Sequence, residues 1–257
     1  MIVATFNVRY DNVYDKENSW ECRRNHVCDL IKFYEWDVFG LQEVLKHQLS
    51  YLQDNLSEYS YVGVGREDGI EDGEFAPIFY KKDKFKLLYS DTFWLSKTPN
   101  IPSKSWNSAC VRICTYAKFL EKSTHKEFIL MNTHFDHESE IARYESANLI
   151  TNKVKAMEPN IGIIIMGDFN SCKTERCYHI INDSFNHVRD ISKEIPYGPK
   201  GTFNEFRFDI SWDELEEIDH IFVNDNIDIL NVRTLTDSID ERYLSDHFPI
   251  MSDLYLT

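Results

Sequence analysis

The chain holds no run of about eighteen apolar residues, the length a membrane-spanning helix needs, and no basic segment leading into a long apolar stretch at its start. A cytoplasmic protein with no membrane partner is expected. Neither an amphipathic lipid-binding stretch nor an anchor is visible, which argues against action on membrane lipids. The six cysteines, Cys22, Cys28, Cys110, Cys114, Cys172 and Cys177, form no Cys-x-x-Cys pair. They read as reduced thiols used as small buried side chains. None sits in the Gly-rich, Arg-bearing loop that a cysteine-nucleophile phosphatase requires, and no His/Cys cluster has zinc spacing. Glycine (9) and proline (7) are sparse and dispersed over 257 residues, so no linker or low-complexity tract divides the chain. One domain spanning 1–257 is expected.

Positive charge is also scarce. Lys and Arg number 28 against 43 Asp and Glu, a formal charge of -15, and no basic tract is longer than Lys81-Lys82, followed at once by Asp83. A protein that grips a nucleic-acid backbone by counterion release needs several convergent cations, so long polyanions should be repelled. Bound divalent metal would offset part of that field.

What the chain does have is a repeated way of ending strands. The apolar run Ile161-Gly162-Ile163-Ile164-Ile165-Met166 delivers Gly167-Asp168-Phe169-Asn170. Ile2-Val3-Ala4-Thr5-Phe6 ends in Asn7, Asp37-Val38-Phe39-Gly40-Leu41 in Gln42-Glu43, and Phe128-Ile129-Leu130-Met131 in Asn132-Thr133-His134, while Tyr243-Leu244-Ser245 leads into Asp246-His247. A continuous apolar run reads as a strand buried on both sides, and polar groups at its carboxyl end project from a rigid support. Any one such residue is an ordinary turn or cap residue. Five sets with complementary metal-ligand and acid/base chemistry indicate one site.

Strands are expected near 2–8, 37–43, 59–65, 76–81, 85–95, 110–121, 127–134, 161–168, 218–224, 228–236 and 248–255. Helices are expected at 19–35, with Val27, Leu30, Ile31 and Tyr34 on one face, and at 138–157, with Ile141, Tyr144, Ala147, Ile150, Val154 and Met157 on another. Phe6-Asn7 and Phe169-Asn170 suggest counterparts in two related half-chains. Phosphate-ester hydrolysis needs a divalent ion, a held water and donors around the nonbridging oxygens. Glu43 is a hard oxygen ligand suited to Mg²⁺ or Mn²⁺ and is the leading metal residue.

Thr5-Phe6-Asn7, Leu41-Gln42-Glu43, Asn132-Thr133-His134, Gly167-Asp168-Phe169-Asn170, Ile218-Asp219-His220-Ile221 and Ser245-Asp246-His247 occur in this order. In this the chain resembles the endonuclease/exonuclease/phosphatase (DNase I-like) superfamily over nearly its whole length. The resemblance implies an α/β (α+β) fold: a four-layer αββα sandwich of two mainly antiparallel sheets face to face with helices outside, the site at one edge. It implies that Asn7 and Asp246 complete the metal region or extend it into a second ion site. It implies that Asp168 orients or deprotonates the attacking water and that Asn170 holds phosphate or water beside it. His247 then binds the phosphoryl group, with Asp219 fixing its tautomer. His134 matches the second family histidine, with Glu74 of the acidic loop Glu71-Asp72-Gly73-Glu74 as its expected partner. Arg112, inside the strand expected at 110–121, is assigned to phosphate. His137, His179 and His220 are left outside the site.

The segment Trp94-Leu95-Ser96-Lys97-Thr98-Pro99, followed by Ser105-Trp106 and Arg112, resembles the small bacterial branch that includes sugar-phosphate phosphatases. Trp94, Trp106 and Trp212 are candidates for stacking on a sugar. The expected activity is hydrolysis of a small phosphorylated metabolite such as a sugar (disaccharide) phosphate. The alternative is a metal-dependent nuclease or deadenylase acting on DNA or RNA.

Overall fold

A computed structural model of the chain describes residues 1–157 and 160–257. Its strands are β1 (Ile2–Asn7), β2 (Val38–Gln42), β3 (Tyr59–Val62), β4 (Ile78–Lys81), β5 (Phe85–Trp94), β6 (Ile113–Glu121) and β7 (Glu127–His134). They continue with β8 (Gly162–Asp168), β9 (Asn186–His187), β10 (Asp219–Val223), β11 (Ile227–Thr234), β12 (Ser238–Ile239), β13 (Arg242–Tyr243) and β14 (Ile250–Leu256). The α-helices are α1 (Trp20–Phe33), α2 (Lys46–Asn55), α3 (Glu140–Lys155), α4 (Arg176–Asn182) and α5 (Val188–Ile191). Among the described residues one sheet has the order β11-β14-β1-β2-β4-β3 and the second β5-β6-β7-β8-β10-β9. Neighbours run antiparallel except β1 with β2 and β7 with β8. Parallel neighbours need a crossover, and α1 and α3 provide it.

Alternation along each strand explains the four layers. Val3, Val38, Ile78 and Ile250 of the first sheet pack against Phe119, Leu130, Ile164 and Met166 of the second, forming the core between the sheets. Their neighbours Ala4, Phe39 and Leu41 face outward onto Val27 and Ile31 of α1 and Leu49 and Leu52 of α2. On the other outer face, Ile129, Met131, Ile163 and Ile165 meet Ala147, Ile150 and Val154 of α3 and Ile181 of α4. Each fully buried side chain of this kind contributes roughly 1.5–3 kcal/mol. One polar device ties the sheets together inside this core. The Asn132 amide donates to the Leu41 and Pro77 carbonyls at 2.8 and 2.9 Å, while its oxygen accepts from Gln42 Nε2 at 2.6 Å. Gly40 makes room for it, since a Cβ there would stand 2.4 Å from Asn132 Cγ.

The halves are related, but not through the counterparts expected. The order β1-α1-β2-α2-β3-β4 repeats as β7-α3-β8-α4-β9-β10, so β1 matches β7 and β2 matches β8. Asn7 therefore corresponds to His134, and Asp168 to Gln42. Phe6-Asn7 and Phe169-Asn170 end the first strand of one unit and the second strand of the other.

Other departures have local causes. Residues 110–112 lie outside β6, because the Asp136 carboxylate takes the Ala109 and Cys110 amides at 2.9 and 3.3 Å. Ile141 is 57% exposed: Ala142, Arg143 and Ser146 take the inward positions of the first turns of α3, and the Arg143 guanidinium is tied to Glu175. Helices α2, α4 and α5 have only 10, 7 and 4 residues, too short for a distinct stripe to show in the sequence.

Gly167 has φ +149°, and a Cβ there would lie 1.9 Å from the Thr133 carbonyl oxygen on the neighbouring strand. No side chain fits, because both the backbone conformation and the spacing of β7 and β8 forbid it. Gly167→Ala is expected to cost about 3 kcal/mol or more, read as a lowered urea midpoint. An unchanged midpoint would contradict the packing described.

Candidate active site

Parallel pairing sets the carboxyl ends of β1 and β2, and of β7 and β8, at one edge of the sandwich. Asn7 lies beside Gln42 in the first sheet. In the second, His134 lies beside Asp168 and Asp168 beside Asp219, which opens the antiparallel strand β10. Asp246 and His247 arrive from the segment that leads into β14. Glu43 and Asn170 each follow a strand in the left-handed region, φ 61° and 46°. Such strain persists only where surrounding contacts enforce it, and it gathers at functional sites.

Asp168 is the hub. Its Oδ2 accepts from Asn7 Nδ2 at 2.9 Å and lies 3.4 Å from His134 Nε2 and 3.8 Å from His247 Nε2. Its Oδ1 accepts from the Asn170 amide at 2.9 Å, and the Asn170 side chain donates to the Phe135 carbonyl at 3.0 Å. His247 Nδ1 bonds Asp219 Oδ2 at 2.8 Å, and that oxygen also accepts from Thr202 Oγ1 at 2.6 Å. Burial, then the charge of Asp219, raises the Asp168 carboxyl to about 7 against the pull of His247 and Asn7. Burial alone would push the His247 imidazole down, but Asp219, Asp168 and Asp246 outweigh it and lift it to about 10.

Glu43 faces the same hub. Its Oε1 accepts from Asn7 Nδ2 at 3.1 Å and its Oε2 from the Tyr10 amide at 3.0 Å. The Asn7 amide nitrogen thus bridges Glu43 and Asp168, while its oxygen accepts from the Arg9 amide at 3.0 Å. Asp246 Oδ2 stands 3.5 Å from Arg9 Nη1, and Asp15 grips the same guanidinium through two bonds. The donor set fits a divalent ion. Glu43, His134 and Asp168 offer ligand atoms within 4.8 Å of one another, and the carboxylates joined through the Asn7 amide are hard oxygen ligands of the kind Mg²⁺ and Mn²⁺ prefer.

His134, Arg66, Glu74 and Arg112 line a narrow cleft. Glu74 answers first to Arg66, whose Nη1 donates to Oε2 at 2.6 Å; His134 Nδ1 is 3.9 Å from that oxygen, beyond hydrogen-bond reach. Arg66 holds the carboxylate that the sequence reading paired with His134. Burial, then the charges of Arg112 and Arg66, holds His134 well below its ordinary value, so it is neutral. Arg112 is 5% exposed rather than solvent-facing; its Nη2 bonds His137 Nδ1 at 2.9 Å and its Nε stands 3.7 Å from Asp136 Oδ2, while Nε and Nη1 have no hydrogen-bond partner among the described residues. Buried N–H groups without acceptors are costly, and a phosphate oxygen would satisfy them.

The structure therefore gathers Asn7, Glu43, Asp168, Asn170, Asp219, Asp246 and His247 at one edge, with His134, Glu74 and Arg112 along it. Residues that sequence reasoning missed are Arg66, Thr202, Asp136 and His137. Only the last two had a signal, as a polar continuation of Thr133-His134. Trp94 is buried, with Nε1 donating to the Arg66 carbonyl, and has no face for a sugar. His220 points to the far side of its strand, bonded to the Ser171 carbonyl at 2.9 Å.

Residues 4–247 match the model of the Endonuclease/Exonuclease/phosphatase family. The chain belongs to this family. As a member of it the protein is a phosphoesterase, and the sandwich is the family fold. An endonuclease/exonuclease/phosphatase from Bacteroides vulgatus is 40% identical, with 100% of this chain and 98% of that chain covered and a TM-score of 0.95. A Bacteroides thetaiotaomicron mannosyl-6-phosphatase is 36% identical over 100% of both chains, with a TM-score of 0.95. D. rerio TDP2, solved with a single-strand DNA product, is 18% identical over 99% of this chain and 98% of that chain, with a TM-score of 0.78; this likeness is one of fold.

The raised imidazole has a consequence for this phosphoesterase. His247 moves from 6.5 to about 10 on folding, so the stability its charge contributes is full below pH 6.5 and is lost as pH rises to about 10. In chelator, the thermal midpoint is expected to fall across that window, and less steeply in His247→Gln. Parallel curves for the two proteins would refute the Asp219–His247 ion pair.

Proposed function

We propose that this chain is a divalent-metal-dependent phosphomonoesterase of the cytoplasm, one catalytic domain that hydrolyses a small phosphorylated metabolite, a sugar phosphate above all. The observation that carries the reading is the placement of Asp168 between His134 and His247, 3.4 and 3.8 Å away and beside Glu43. When bound, Mg²⁺ or Mn²⁺ held by Glu43, with Asn7 and Asp246 flanking, supplies charge neutralisation at the phosphoryl oxygens.

The chain's own groups do the rest. Asp168, poised near neutral pH, takes the proton of a water held in line, and Asn170 keeps the carboxylate aimed through its backbone N–H. His247, held as a cation by Asp219, donates to a phosphoryl oxygen through Nε2. Arg112 brings Nε and Nη1, neither hydrogen-bonded to the described residues, to the phosphate.

Three things favour a small substrate. The mannosyl-6-phosphatase is 36% identical along its full length. The formal charge of -15 disfavours a long polyanion. The cleft beside Arg112 is small and bounded by side chains. A nuclease acting on DNA or RNA is the second reading, suggested by the fold shared with TDP2. Trp212, 53% exposed, is the tryptophan best presented for stacking on a sugar.

Asp168→Asn is expected to lower kcat by about 10²- to 10⁴-fold while leaving the melting temperature near that of the wild type. Glu43→Gln is expected to raise the Mg²⁺ concentration needed for half-maximal phosphate release. Near-wild-type turnover in the first variant, or an unchanged metal titration in the second, would overturn these roles.

A further inference from the structure

Two buried histidines and a glutamate stand together on the outer face of the second sheet, on the far side of β10 from Asp219. We propose that His187, Glu217 and His220 form a transition-metal site of the zinc type, separate from the phosphoesterase centre.

His187 lies on β9, His220 on β10, and Glu217 in the segment that enters β10. Their ligand atoms lie within 4.8 Å of one another. His187 Nε2 and His220 Nδ1 are 3.3 Å apart. Two nitrogens bound to one tetrahedral ion at about 2.0–2.1 Å are separated by about 3.3 Å, so both rings already have the spacing such an ion sets. The second observation concerns orientation. His220 Nε2 donates to the Ser171 carbonyl at 2.9 Å, which fixes the proton on that nitrogen and leaves the Nδ1 lone pair directed at His187. This backbone tether is the usual support of a metal-binding imidazole.

The surroundings suit a small enclosed site. His187 and His220 are 1% and 0% exposed, and the Tyr178 ring packs on both imidazoles at 5.9 and 5.1 Å, its buried hydroxyl without a hydrogen-bond partner. Glu217 is the least enclosed of the three, its side chain 15% exposed. Its Oε1 lies 3.5 Å from Lys173 Nζ, and because that lysine side chain is 33% exposed it moves into water when the carboxylate turns to the ion. Two imidazoles, one carboxylate and an open position select Zn²⁺ or Co²⁺ over Mg²⁺. The carboxylate-rich cluster around Glu43 has the opposite preference. An ion here would join β9 to β10 and fix the entry to the strand that carries Asp219.

The test uses the full chain with excess Mg²⁺ present, and reads Zn²⁺ by calorimetry and by bound zinc after desalting, with Co²⁺ absorption as a check on coordination. Wild type is expected to bind one tight zinc and to give the visible bands of a four-coordinate cobalt site. His187→Gln and Glu217→Gln are expected to weaken zinc by more than about tenfold, whereas Glu43→Gln keeps it. If His187→Gln fails to fold, Glu217→Gln, at a side chain 15% exposed, decides. Absence of tight zinc in wild type, equal affinity in Glu217→Gln, or loss of the zinc in Glu43→Gln would overturn the site, the last by moving the ion to the phosphoesterase centre.

Discussion

The fold of this protein is organised around one electrostatic problem: Asp168 and Asp219 are both buried, on adjacent strands and in register. Two carboxylates so placed cannot both remain charged without compensation. His247 answers by holding a proton between them, and Asn7 answers by spanning Asp168 and Glu43 with its amide. Much of the surrounding architecture serves to keep those groups in place. Gly167 lets β8 run close against β7, Asn132 and Gly40 lock one sheet onto the other, and the left-handed turns at Glu43 and Asn170 aim side chains inward. A site demanding both stored charge and strained backbone is stable only on a rigid frame, which two interlocked sheets supply.

Asn7, Glu43, His134 and Asp168 were legible because each sits directly after an apolar run or at its end, where sequence and space coincide. Asp246 and His247 end no strand: they lie in the segment between β13 and β14, and were legible through the Ser-Asp-His motif instead. Glu74 and Arg112 were only half legible. Their positions were visible, but their partners depend on how distant loops curl: Arg66 takes the Glu74 carboxylate, and Asp136 pulls the residues before β6 out of the strand. Thr202 illustrates what sequence cannot give. It hydrogen-bonds Asp219 from seventeen residues away, with no motif around it. Fold legibility followed the same division. Long strands and the helices α1 and α3 carry strong periodicity, while short helices, the inward turn of Arg143 in place of Ile141, and the pairing of half-chains are set by tertiary contacts.

Charge and site shape act together on substrate choice. A formal charge of -15 opposes the approach of a long polyanion, yet Arg66 and Arg112 line the cleft beside His134, and His247 at the hub is held as a cation. Of the tryptophans offered for stacking on a sugar, Trp212 is exposed while Trp94 is committed to the interior.

The most direct test is phosphate release, with Mg²⁺ or Mn²⁺ and with chelator as control, across a panel of sugar phosphates set beside single-stranded RNA and DNA at low and high salt. Chelator-sensitive release from a sugar phosphate, with little loss of affinity as salt rises, is the predicted result. Cleavage of the polynucleotides alone, weakening steeply with salt, would contradict the small-substrate reading and make the protein a nuclease.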